Sequence, residues 1–350
     1  MTCYTETRVD AIEFHPQLLT DTLPLAIDDM SLAHHLGIRN KTMWWMIRSK
    51  STLYKTFKLP KRGRSGGYRE IQNPIDTLKN VQKNILVRFL EPITVGAHVG
   101  AYVPKRSCRD VAAQHVGKAV IVSLDIKDFF PSTKRAMVRR YLHRRIGYNY
   151  LVSSLLADLM TCVNFVPQGA PTSGQIANLV ADYLFDTDII HDLYALDPKW
   201  VYTRYSDDLD ISHPEEQPAE QLTAVIELVK KAVEAAGYRL NQTKTKVEPH
   251  WKRQKVLGMV VNEKVSIPRL EYMRIRSIVH NCLIHGFSSQ YERAEMKSAA
   301  GLLSHVRGKL AYFKQVDPVK AQRLKDYFDL AVQIHKGTGD IEEDEVSFDD

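Results

Sequence analysis

The stretch VYTRYSDDLDIS, residues 201–212, constrains this chain more than any other. Val201, Thr203 and Tyr205 alternate with polar neighbours before the acidic pair, and Leu209 and Ile211 do so after it. That period of two predicts a β-hairpin with Asp207 and Asp208 at its tip. Adjacent carboxylates on a tight turn repel each other and resist burial, so a compensating positive charge is called for. Ser-Asp-Asp is also good turn chemistry, which leaves a solvated surface turn as the plain alternative.

A third acid weighs against the plain alternative. Asp125 ends the run AVIVSLD, in which five of the six preceding residues are apolar or β-branched, the signature of a buried strand. A strand-end Asp together with a hairpin-tip pair is the arrangement needed to hold two divalent cations. Mg²⁺ prefers oxygen ligands and retains waters and substrate phosphates, which one or two carboxylates per ion suit. Two such ions, roughly 3.5–4 Å apart, activate an attacking hydroxyl and neutralise a leaving pyrophosphate.

The charge balance points to the partner. The formal net charge of the 350 residues is +7, but the last eleven, DIEEDEVSFDD, hold seven acids and no base. Residues 1–339 therefore carry 48 basic against 34 acidic side chains, or +14. So basic a body favours a polyanion, nucleic acid first; the acidic tail reads as a solvating or partner-binding arm. No apolar run approaches the roughly 20 residues that span a bilayer, so no membrane is expected. MTCYTETRVD at the start lacks a signal-peptide core. Cys3, Cys108, Cys162 and Cys282 lie far apart without a CxxC pair, which argues for a reducing, cytoplasmic setting and against structural zinc.

Periodicity predicts an α+β order with strands in the middle and helices at both ends. Helices are expected over 25–59, from Ile75 to Phe89, after Pro131, around 151–163, after VPQGAPTSG, over 219–236 and from Pro268 to about Ile334. FKLPKRGRSGGYREIQNP reads as a hairpin with a Gly-rich turn. YRLNQTKTKV and QKVLGMVVN read as strands or strand-like turns. RNKTMWWMIRSK, VRRYLHRRIGYNY and HWKRQK interleave basic and aromatic residues, as phosphate contact and base stacking would require. Trp44 and Trp45 read as core residues rather than stacking platforms.

Six of these stretches, in order across residues 60–262, resemble the motifs of reverse transcriptases. YSDD is similar to their Y-x-D-D box and SLDIKDFFPS to their first palm motif. PQGAPTSGQIANL resembles the loop and helix that follow, LPKRGRSGGYREIQNP the fingers hairpin, AGYRLNQTKT the fourth motif and VLGMVVN the fifth. The short chain, VLGMVVN and GKLAYFKQVDP most resemble the bacterial retron type. The resemblance implies an α+β right-hand polymerase fold with fingers, an antiparallel-sheet palm and a helical thumb. Expected boundaries are an N-terminal helical region at 1–55, fingers at 56–118, and a palm at 119–265 with fingers helices inserted at about 134–166. A thumb at 266–337 and the acidic tail at 338–350 complete the division.

Carried over residue by residue, the resemblance makes Asp125, Asp207 and Asp208 a triad for two Mg²⁺ ions, with the Ile126 carbonyl as a further ligand. Phe130 takes the place of the bulky ring beneath the incoming sugar, which selects deoxynucleotides by excluding a 2′-hydroxyl. Without the motif, Phe129 and Phe130 would simply alternate between core and surface. Lys61 and Arg69 match residues that clamp the triphosphate, Arg by bidentate hydrogen bonds and Lys as a point charge; a basic hairpin is otherwise merely solvated. Gln168 and Gly169 match the loop under the nascent base pair, where glycine lets backbone approach the nucleotide. The alternative is an N-capping turn using Thr172 or Ser173. Lys244 matches the lysine that protonates pyrophosphate, with Lys246 a close competitor.

For RNA recognition the resemblance points to His115, Val256, Gly258, Arg307 and Lys309, with Arg269, Arg274 and Arg276 also on the thumb helices. Two departures bear on it: VAAQH has Val111 where the retron pattern N-A-x-x-H has Asn, and Val256-Leu257-Gly258 stands for V-T-G. The implied function is RNA-templated DNA synthesis from dNTPs on a cognate structured noncoding RNA that serves as template and primer. Synthesis would start from a 2′-hydroxyl and give a branched RNA–DNA (msDNA) in an antiphage defence system. Expected partners are the RNA–DNA duplex, an effector protein of the same operon and host ribonuclease H. The competing readings are a group II intron-like or RNA-copying polymerase, and an RNA-binding scaffold or inhibitor of a toxin effector.

Overall fold

The computed structural model describes residues 22–60, 67–293 and 298–336. The chain forms two compact units: residues up to Ser107 with Val120–Val247, and Cys108–Ala119 with Glu248 onward.

In the first unit, Asp28 caps the helix Asp29–His35 by accepting the Ser31 backbone N–H at 2.8 Å. The helix Asn40–Arg48 follows. Its Trp44 packs half-buried and donates its indole N–H to Asp29 at 2.8 Å, while Trp45 is exposed. Neighbouring positions on a helix point different ways, so only one of the two tryptophans reaches the core. Helix does not continue to 59 as the periodicity suggests. Tyr54–Pro60 is strand β1, paired antiparallel with β2, Tyr68–Pro74, from Tyr54↔Pro74 to Pro60↔Tyr68. Pairing with a partner strand overrides the local helical spacing there. Asp76–Ile85 and Tyr150–Met160 are helices, the latter capped by Asn149 Oδ1 accepting from the Val152 N–H at 2.9 Å. Leu78, Ile85, Leu142 and Leu156 are among the residues of their shared core.

A four-stranded sheet carries the rest of this unit, in the order β4-β5-β3-β6. Here β3 is Val120–Asp125, β4 Val201–Tyr205, β5 Asp208–His213, and β6 Lys246–Pro249, which begins in this unit. β3 and β5 pair antiparallel from Val120↔His213 to Asp125↔Asp208, and β4 pairs with β5 from Val201↔Ser212 to Tyr205↔Asp208. Side chains alternate across a strand. Val122, Leu124, Leu209 and Ile211 therefore share one face, buried in a core with Phe185 and with Val225, Val229 and Val233 of the helix Ala219–Ala235. Ser123, Asp125, Asp208 and Asp210 share the other. On β4 the inward residues are Tyr202 and Arg204, opposite Ile211 and Leu209. That is the reverse of the phase read from Val201, Thr203 and Tyr205, because a fully buried arginine looks like an outward position in sequence.

In the second unit the short helix Cys108–Ala113 leads to a segment tied down by Gly117 N–H donating to Val261 O (3.1 Å) and His250 N–H donating to Ala119 O (2.8 Å). Residues 108–118, read from the sequence as fingers, thus belong with the C-terminal part of the chain. Strands β7, Lys255–Val256, and β8, Met259–Val260, form a small hairpin. Helices Arg269–His285, Ser288–Tyr291, Ala299–Val316 and Pro318–His335 pack around Val279, Phe287, Leu302, Phe313 and Phe328. Among the described residues, Cys108, Cys162 and Cys282 are free thiols, and no helix is long and apolar enough to cross a membrane.

Candidate active site

The site begins with the two-residue turn between β4 and β5. Ser206 has φ +61°, and Asp207 does not share it, the pattern of a type II′ turn whose twist suits a hairpin. Asp208, first residue of β5, lies directly across from Asp125 at the end of β3. Opposite residues of an antiparallel pair stand about 4.5–5.5 Å apart on one face. Asp207 joins them because the Ile126 N–H donates to the Asp207 carbonyl at 2.8 Å. Three acids, two of them 82 and 83 positions from the first in sequence, converge at one sheet end. Lys244, on the turn Gln242–Lys244, donates to Asp125 Oδ2 at 2.6 Å. The turn is itself anchored where the Asn241 N–H donates to the Asp125 carbonyl at 2.7 Å.

The electrostatics follow from this crowding. Lost hydration, then repulsion from Asp207 and Asp125, pushes the Asp208 carboxyl up to about 6, against the pull of Lys244 and Lys246. Lost hydration and Asp125 raise Asp207 as well. Lys244 is held protonated chiefly by its bond to Asp125. Carboxylates driven upward by one another are under-compensated by the protein's own cations, and the donor set, all hard oxygen, fits Mg²⁺.

A different acidic group lies on the core side of the same hairpin. His98 Nε2 is 2.8 Å from Asp182 and 3.5 Å from Asp186, and the three form a compact ligand-type cluster. Two protein cations already serve it. The guanidinium of Arg204, fully buried with Asp186, bonds Asp186 at 2.8 Å and Asn178 Oδ1 at 2.8 Å. Burial alone would lower His98, but the hydrogen bonds its ring donates to Asp182 and Asp186 raise it to about 9. Burial would raise Asp186, yet Arg204 and His98 bring it down to about 2. This cluster is a neutralised ion network, not a vacant metal cage, and sequence reasoning missed it entirely.

A cavity of about 470 Å³ is lined by residues that include Arg69, Tyr102, Phe130, Gln168, Gly169 and Ser173, and it adjoins the acidic turn through Tyr102, whose phenol oxygen is 3.4 Å from Ser206 Oγ. Its volume is within the size range of small-molecule sites. Gly169 has φ +116°, and a Cβ there would lie 2.9 Å from Ile71 Cγ2; the neighbouring Gln168 carbonyl accepts from the Gln72 N–H at 2.7 Å. Thr172 is the N-cap of helix Ser173–Ala181 by position only, since neither capping bond expected of Thr172 or Ser173 forms. Ser173 Oγ is instead buried without a hydrogen-bond partner among the described residues, on the cavity wall. Phe130 is half-buried and Phe129 fully buried, so the two rings do alternate while Phe130 also faces the cavity. Lys61 lies outside the described residues.

The residues assigned to RNA recognition fall in the second unit and divide by exposure. His115 and Val256 are buried, and burial, with Lys118 nearby, lowers His115 to about 4. At these two positions the side chain is part of the packed interior. Gly258 has φ +83° in the β7–β8 turn. Arg307 and Lys309 are half-buried, and Lys309 is ion-paired with Glu271. Arg269, Arg274 and Arg276 are exposed on their helix.

An antiparallel sheet presenting three convergent acids beside a basic, glycine-lined cavity is the arrangement of a nucleotidyl-transferring polymerase palm. Comparison with known proteins agrees: the reverse transcriptase (RNA-dependent DNA polymerase) family matches residues 59–261. The retron Mx65 reverse transcriptase of Myxococcus xanthus is 34% identical over 295 residues, 79% of this chain and 64% of that protein. The retron Ec86 reverse transcriptase of Escherichia coli is 30% identical over 302 residues, 86% of this chain and 88% of that one. The retron Se72 reverse transcriptase of Salmonella heidelberg is 32% identical over 302 residues, covering 84% and 77%. The chain belongs to the reverse transcriptase family, among its bacterial retron-type members.

Proposed function

We propose that this protein copies a cognate structured noncoding RNA into DNA. Growth starts from a 2′-hydroxyl of that RNA to give a branched RNA–DNA product, in an antiphage system with an effector protein. The observation that carries the reading is the convergence of Asp125, Asp207 and Asp208 beside the cavity holding Arg69, Phe130, Gln168 and Gly169.

Asp125, Asp207 and Asp208, with the Ile126 carbonyl, would hold Mg²⁺, which when bound supplies charge neutralisation for the attacking hydroxyl and the leaving pyrophosphate. Arg69 donates to the triphosphate oxygens, and a protonated Lys244 delivers a proton to the departing pyrophosphate. Gly169 brings bare backbone to the nucleotide, and the Phe130 ring excludes a 2′-hydroxyl. Ser173 Oγ offers a hydrogen bond at the cavity wall. With His115 and Val256 buried, their contribution to RNA choice would come through the backbone they support, whereas Gly258, Arg307 and the exposed arginines meet the RNA directly. Removal of the copied template is left to host ribonuclease H.

Two measurements test this. Asp207→Asn with Asp208→Asn should abolish DNA synthesis; defence that survives that loss would favour an RNA-binding scaffold. Nucleic acid copurifying with the wild type should contain a DNA strand branched from RNA, and unbranched RNA alone would overturn the self-priming reading.

A further inference from the structure

Tyr102 lies in none of the six stretches by which the sequence resembles reverse transcriptases, yet it touches three parts of the site. Its backbone sits at φ +56°, a left-handed conformation that is strained for a bulky residue. Such strain persists only where surrounding structure holds the residue in place. The side chain is half exposed and lines the cavity. Its ring stands against the bare α-carbon of Gly174: a Cβ added there would lie 2.4 Å from Tyr102 Cγ and 2.9 Å or less from both Cδ atoms. The ring meets Phe130 edge-to-face at 6.0 Å and 63°, and the phenol oxygen is 3.4 Å from Ser206 Oγ, on the turn that carries Asp207.

We propose that Tyr102 is a positioning residue for sugar selection, a buttress that fixes the Phe130 ring and ties it to the catalytic turn. The proposal rests on reading Phe130 as the group that excludes a 2′-hydroxyl. Phe130 is also in ring contact with Phe129, at 5.6 Å, and Phe129 is stacked on the buried Tyr238 at 5.9 Å. The Phe129 side of the ring is therefore immobile core. On the cavity side only Tyr102 opposes a swing of Phe130 among the ring contacts of the described residues. Excluding one hydroxyl by shape demands a wall that does not yield, since cavities able to relax discriminate poorly. Gly174 makes room for the buttress, and the left-handed turn at Tyr102 aims it.

The test is the ratio of kcat/KM for a dNTP to that for the matching rNTP, measured with the full-length protein on a synthetic RNA template with annealed DNA primer. Tyr102→Ala should lower that ratio about tenfold or more, mainly through faster ribonucleotide addition. Tyr102→Phe keeps the ring and should keep most of the selectivity. Gly174→Ala, whose new methyl displaces the ring, should lower the ratio as Tyr102→Ala does; it carries the test alone should Tyr102→Ala fail to fold. Phe130→Ala separates the two levels of the claim. Should it leave the ratio unchanged, the reading of Phe130 is wrong and the buttress falls with it. Should Phe130→Ala relax selection while Tyr102→Ala and Gly174→Ala keep the wild-type ratio, the buttress alone is overturned. A loss of rate equal for both sugars would do the same.

Discussion

Asp208 shows how single side chains here are tuned by company. Its carboxyl titrates at about 6 in the folded chain and near the ordinary 3.8 when unfolded. The folded state thus binds the proton more tightly, and this group's contribution to stability declines as pH rises from about 4 to about 6. Asp208→Asn should therefore raise the melting temperature at pH 7 in chelator while synthesis is lost. The gain is on the order of 1 kcal/mol, or ~2–4 °C, after screening by the solvent that reaches this exposed residue. It should vanish near pH 4. In the wild type, the Mg²⁺ concentration needed for half-maximal DNA synthesis should rise as pH falls below about 6, because proton and cation compete for the Asp208 carboxylate. Gly169→Ala is the steric counterpart: strained φ and a 2.9 Å clash with Ile71 predict impaired nucleotide binding, read as a raised KM. At this scale the sequence was informative where a residue's role is local. The acids stood out as unpaired like charges, and Gly169 as a loop glycine. Tyr102 and His98 did not, since their meaning lies in neighbours about 28 to 104 positions away.

The β4–β5 hairpin is stiffened from behind by Arg204, whose guanidinium also reaches the Ser206 carbonyl at 3.3 Å. Removing one member of a buried ion pair leaves the other uncompensated, a cost of about 3–5 kcal/mol. Asp186→Asn and Arg204→Met should each depress the melting temperature sharply, and the double variant should recover part of the loss. His98 adds a pH signature. Its folded value of about 9 exceeds the free value of 6.5, so its stabilisation is complete below pH 6.5 and lost as pH rises through 9. Thermal melts between pH 7 and 9.5 should show that decline in the wild type and not in His98→Gln. Strands and long helices were legible from period and turn chemistry, β2 and the helix Ala219–Ala235 among them, whereas the start of β1 was read as helix. The inverted phase of β4 was not, because alternation assumes that inward residues are apolar and Arg204 is inward by virtue of Asp186.

For the whole molecule, the excess of basic residues predicts RNA binding that weakens steeply with salt, by about 10³–10⁵ between 50 and 200 mM if six to ten phosphates are engaged. Deleting residues 340–350 raises the formal charge from +7 to +14. Filter binding at fixed salt should then show tighter, less discriminating association with unrelated RNA. The division of the chain was harder to foresee than its charge, since 108–119 pairs with sequence far downstream. That arrangement governs biogenesis. A ribosome emits Cys108–Ala119 and then the entire stretch Val120–Val247 before the backbone partners at His250 and Val261 emerge. Until they do, the Gly117 N–H and the Ala119 carbonyl have only water to pair with, and a nascent chain halted before Glu248 lacks both backbone bonds that close this segment.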